Sequence, residues 1–76
     1  MKWISGFKHP KSWTFEIEQQ TWYNSTDQVD VILFCLFVHD ESGKEVYDGQ
    51  QDTLYWAKNE ALEEFGVPLD SWKQIE

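Results

Sequence analysis

The longest apolar run in the chain is Val29 to Val38, VDVILFCLFV, with turn-forming residues on both sides: Asn24-Ser25-Thr26-Asp27 before it and Asp40-Glu41-Ser42-Gly43 after it. Its length and its β-branched and aromatic content predict a buried strand. Side chains alternate across a strand, so Val29, Val31, Leu33, Cys35 and Phe37 share one face, and Ile32, Phe34, Leu36 and Val38 the other. Both faces are apolar, and a single helix covers only one of them.

The segments around this run predict its partners. Residues 12–23, SWTFEIEQQTWY, alternate between apolar Trp13, Phe15 and Ile17 and polar Thr14, Glu16 and Glu18, the pattern of a half-buried antiparallel strand. Pairing Ile17 with Leu33 and Phe15 with Cys35 places the apolar alternates of this strand on the odd face of the next. The HDESGK stretch reads as a hairpin loop, with Gly43 suited to a positive φ. EVYDG follows as a short third strand that sets Val46 beside Phe37 and Tyr47 beside Leu36.

Residues 52–66 read as a helix. Asp52 or Thr53 can cap its start, and Gly66 followed by Pro68 stops it. Leu54, Ala57, Ala61 and Phe65 form a stripe, widened by Tyr55 and Leu62, that is expected on the odd face of the sheet. The expected fold is therefore α+β: a three-stranded antiparallel meander with one C-terminal helix on one face, in the order β-β-β-α. One domain spans residues 1–76, with an arm (1–11), sheet (12–50), helix (52–66) and tail (67–76). Phe15, Ile17, Val31, Leu33, Cys35, Phe37, Leu54, Ala61, Leu62 and Phe65 are the expected core. Trp3, Ile4 and Phe7 of the arm, or Leu69 to Ile75 of the tail, are expected to cover the even face.

Charge narrows the function. The net charge is −8 and there is no Arg, which disfavours direct binding to nucleic acid or to an anionic membrane. The run 29–38 is far shorter than the about 20 apolar residues that span a bilayer. The first residues lack the apolar stretch of a secretory signal, so the expected location is the cytoplasm. The single cysteine, Cys35, allows no intramolecular disulfide and reads as a core residue.

Candidate chemistry is sparse. His39, Asp40 and Glu41 with Asp48 and Asp52 match no metal-loop spacing and read as a solvated hairpin. His9 beside Pro10 reads as a surface residue. Glu16 and Glu18 read as the polar side of a strand. There is no nucleophile elbow and no Gly-rich phosphate loop. Neither catalytic, metal nor cofactor residues are assigned.

What remains is Trp56, which helical spacing places on the polar side of the helix with Asn59, Glu60 and Glu63. Either Trp72 or Leu69 of the tail folds back over it, or it anchors a cationic partner. The expected function is a small acidic, non-enzymatic protein-binding module, of the inhibitor or immunity type, that docks on a basic partner. A monomer is expected, and the alternative is a homodimeric accessory protein using the Ile32–Phe34–Leu36 sheet face. A ligand-binding or enzymatic role for the His39 loop ranks third.

Overall fold

The computed structural model describes residues 1–8 and 11–76, so the reading of His9 and Pro10 lies outside the described residues. The chain runs β1 (Lys2–Ser5), β2 (Thr14–Asn24), β3 (Val29–His39), β4 (Glu45–Gln51) and α1 (Leu54–Phe65), then a 3-10 turn (Leu69–Ser71) and β5 (Trp72–Gln74). The strands form one five-stranded sheet in the order β4-β3-β2-β1-β5, antiparallel at every step. The fold is α+β, an antiparallel sheet with one helix. The expected meander is present as β2-β3-β4, and both termini add to it. The arm supplies β1, and the tail supplies the 3-10 turn and β5.

Main-chain bonds hold the tail to the arm. Gly6 N donates to Ser71 O (3.2 Å), Ile75 N to Lys2 O (2.8 Å) and Lys2 N to Glu76 O (3.1 Å). The hydroxyls of Ser5 and Ser71 also bond each other at 2.7 Å. The helix begins and ends where its capping residues require. Thr53 Oγ1 accepts from Trp56 N at 3.1 Å. Gly66 adopts φ 75, the left-handed conformation of a C-terminal stop.

The helix packs on the face opposite to the one expected. Ile17 lies across from Leu36 and Phe15 across from Val38, not from Leu33 and Cys35. The cause is the β2–β3 turn. Asn24 pairs with Val29, leaving four residues, 25–28, in the loop. Asn24 Oδ1 accepts from Thr26 N (3.0 Å) and Asp27 N (3.2 Å), and Gln28 closes the turn at φ 55. An even number of loop residues pairs odd positions of β2 with even positions of β3, so the parity of the register inverts.

The core under α1 consequently contains Phe15, Ile17, Leu36, Val38, Ala57, Ala61 and Val67, with Trp3 reaching it from β1. Phe65 stacks against Phe15 (5.5 Å between centroids) and edge-on to Tyr47 (5.1 Å). Leu36, Val38, Val67 and Trp3 were absent from the expected core, while Leu62 proves exposed. Val31, Leu33 and Phe37 are half-buried on the opposite face. α1 covers the even face together with Trp3 and Phe7 of the arm and Val67 and Trp72 of the tail, while Ile4 pairs with Glu16 on the other face. Trp3 joins that face by extending the sheet, packing 5.9 Å from Phe34. In β4, Tyr47 sits beside Val38, not Leu36, and lies on the even face as expected. Val46 misses Phe37, since a bulge at Val38/His39 shifts the register there and Asp48 takes that place.

Candidate functional site

The inverted register leaves the odd face of β3 uncovered. Val31, Leu33, Cys35 and Phe37 form a row along the centre of this bare face. On one side β2 sets Trp22 opposite Val31, Gln20 opposite Leu33, Glu18 opposite Cys35 and Glu16 opposite Phe37. On the other, β4 sets Asp48 opposite Phe37 and Gln50 opposite Cys35. Beyond β2, Lys2 pairs with Glu18 and Ile4 with Glu16. The face is thus an apolar strip between rows of carboxylates and amides.

A groove of about 250 Å³ lies across it, lined by Gln20, Cys35, Phe37, Asp48, Gly49 and Gln50. Cys35 forms part of its floor and is only 2% exposed, because the longer neighbours rise around it. Burial pushes the Cys35 thiol pKa up, and the carboxylates of Glu18 and Asp48 push it further in the same direction. The thiol therefore stays protonated at neutral pH and is not a ready nucleophile. The groove offers apolar contact and hydrogen-bonding amides with negative charge at the edge.

The four residues expected to meet a partner are divided by the structure. Trp56 is 53% exposed and stands edge-on to Tyr55, 5.2 Å between centroids. Asn59 Nδ2 donates to Glu63 Oε1 at 3.1 Å on the same outer surface. Glu60 turns away from them toward β4, where it accepts from Tyr47 Oη at 2.5 Å and from Gln51 Nε2 at 3.2 Å. Gly49 makes room for it, since a Cβ there would collide with the Glu60 carboxylate. The Tyr47 pKa is pushed up to about 12, first by that hydrogen bond and then by burial and the Glu60 charge. The tail does not bury Trp56. Trp72 lies in β5, paired with Ser5 near the far edge of the sheet.

The homodimer face is also reassigned. Leu36 is buried and Phe34 half-buried on the helix side, and only Ile32 of the Ile32–Phe34–Leu36 set is exposed. In the His39 loop, Asp40 Oδ1 accepts from Ser42 N (2.9 Å), Ser42 Oγ (2.7 Å) and Lys44 N (3.0 Å), which holds its carboxyl pKa below the usual range. Glu41 accepts from Trp13 Nε1 at 2.8 Å. These carboxylates are engaged in shaping the hairpin. Among the described residues no three His, Cys, Asp or Glu side chains converge as a metal site, and no helix is long and apolar enough to cross a membrane.

The bare face was hidden from sequence reasoning because both faces of β3 are apolar. The signal that could have revealed it is Asn24, whose side chain closes a four-residue turn. Gly49, a glycine inside a strand, likewise signals the close approach of Glu60. No family model, curated protein or solved structure matches this chain, so every functional statement about it rests on its own residues.

Proposed function

We propose that the chain is a non-enzymatic protein-binding module that docks on a basic partner through the bare face of its sheet. One observation carries this reading: α1 covers one side of the sheet, and no described element packs on the other, where the half-buried Val31, Leu33 and Phe37 and the buried Cys35 form an apolar strip edged by Glu16, Glu18 and Asp48. Apolar contact at the centre with charge at the rim is the anatomy of a protein interface. The net charge of −8 favours a cationic partner and speeds its approach. A blocker of a basic enzyme, of the inhibitor or immunity type, is the finer form of this proposal, acting in the cytoplasm. The protonated Cys35 and the engaged carboxylates of the His39 loop support a binding role over a catalytic one.

The test is capture of partners from a host lysate on three immobilised forms. Wild type is expected to retain a basic protein. Glu16→Lys/Glu18→Lys, which reverses the rim charge, is expected to lose it. Trp56→Ala, on the opposite layer, is expected to keep it. Retention by the charge-reversed form and loss by Trp56→Ala would move the site to the outer helix surface with Asn59 and Glu63.

A further inference from the structure

The β2–β3 hairpin projects beyond the rest of the sheet. β4 leaves β3 at Gln51, which pairs with Phe34, and the chain then turns into α1. From Val29 to Leu33, no described residue pairs with the outer edge of β3. Free edges are ordinarily blunted by lysine, proline or a bulge. This one has none of these: its sequence is VDVIL, with one charge at Asp30.

The main-chain groups on this edge can be identified. Gln19 N donates to Met1 O at 2.9 Å, so odd positions of β2 aim their amides and carbonyls at β1. Even positions of β2 therefore face β3. Trp22 pairs with Val31, so Val31 directs its groups inward to β2. Asp30 and Ile32 consequently point theirs outward, where a further strand would pair with them.

We propose that this edge pairs with the same edge of a second copy of the chain, antiparallel and centred on Val31. The length of the free segment selects the occupant. The free segment, Val29 to Leu33, is five residues long and ends at Phe34, where β4 takes over. Two such segments related by a two-fold axis at Val31 fill each other end to end, and neither runs into the other's β4. In this register Val31 faces its own copy, Val29 faces Leu33, and Asp30 faces Ile32, with both outward-facing residues in hydrogen-bonding positions. No carboxylate is set directly against another, which matters for two chains of net charge −8. The two sheets become one of ten strands. This edge shares Val31 and Leu33 with the bare face assigned to a basic partner but pairs through main-chain groups of Asp30 and Ile32, so either assignment can fail without the other.

The paired segment is short, so the dimer is weak and concentration-dependent. Sedimentation equilibrium from about 10 µM to about 1 mM tests it. The wild-type mass is expected to rise from 9.1 kDa toward twice that value, and to do so more readily at high salt, which screens the repulsion between copies. Ile32→Pro removes only an outward-facing N–H and is expected to abolish the rise. Ile32→Lys sets a cation against Asp30 of the other copy and is expected to tighten association by about 2–5-fold. Tyr23→Pro, the equivalent change on the outer edge of β2, is expected to have no effect. A wild type that stays at 9.1 kDa throughout would overturn the proposal. So would an Ile32→Pro variant that still dimerises, an Ile32→Lys variant that dimerises less, or loss of the dimer in Tyr23→Pro.

Discussion

The two ends of the β2–β3 hairpin are built from the same kinds of residue and meet opposite fates. At one end Phe15, Ile17, Leu36 and Val38 are fully buried beneath α1. At the other, Trp22, Tyr23, Val29 and Ile32 are about half exposed or more, Tyr23 reaching 66%. Leu36 at 0% and Ile32 at 49% point to the same side of the same strand, four residues apart. Hydrophobicity does not separate them. What separates them is reach: α1 and its neighbouring strands extend over the first end and stop short of the second. Buried apolar surface contributes about 25 cal/mol per Å² only where something covers it, so the covered end supplies the stability and the projecting end leaves its apolar side chains exposed.

The largest test of this contrast is a pair of truncations. Leu36→Ala is expected to destabilise the chain by about 2–5 kcal/mol, the cost of a core cavity. Ile32→Ala is expected to stay within about 0.5 kcal/mol of wild type. Urea unfolding monitored by tryptophan fluorescence measures both, and equal losses would show that the hairpin's far end is as well packed as the near one.

Gly49→Ala comes next. The added methyl displaces the Glu60 carboxylate from Tyr47 and Gln51, with an expected loss of about 1–3 kcal/mol through hydrogen bonds to a charged group. The same contact has a pH signature. Tyr47 titrates near 12 in the folded chain against about 10 when unfolded, so the folded state holds its proton more tightly. Its contribution is full below pH about 10 and is lost as the pH rises toward 12. A tyrosinate absorbance titration of Tyr47→Phe beside wild type is expected to show the loss of an ionisation near pH 12. If the ionisation lost in Tyr47→Phe lies near pH 10 instead, the Tyr47–Glu60 bond does not hold in solution.

Smaller effects sit at the ends of elements. Thr53→Ala removes the helix cap and is expected to cost about 1 kcal/mol in the same urea assay. The Lys2–Glu76 pair, 3.4 Å apart and open to solvent, is expected to contribute nothing measurable. A drop in melting temperature for Glu76→Gln would mean that the β1–β5 edge depends on charge as well as on its main-chain bonds.

Much of this architecture is written locally. The alternation of Trp13, Phe15 and Ile17 marked β2, the run from Val29 to Val38 marked β3, and Thr53 with Gly66 marked the ends of α1. These signals depend on near neighbours in the chain, so the sequence reveals them. The short strands β1 and β5 were less legible, because Lys2–Ser5 and Trp72–Gln74 are too short to show a period and exist only through pairing, β1 with β2 and β5 with β1. The separation of Glu60 from Trp56 was equally hidden, since helical spacing groups them while Tyr47, 13 residues earlier, draws Glu60 aside.

The sequence by itself determined an antiparallel sheet, a single helix after the third long strand, and an acidic surface. Only the tertiary structure decided which side of β3 meets the helix. With valine, leucine and phenylalanine on both faces of that strand, burial favours neither. The choice falls to the number of residues between Asn24 and Val29. A loop of four inverts the parity that an odd count would give, sending Leu36 and Val38 into the core and leaving Leu33, Cys35 and Phe37 on the bare face.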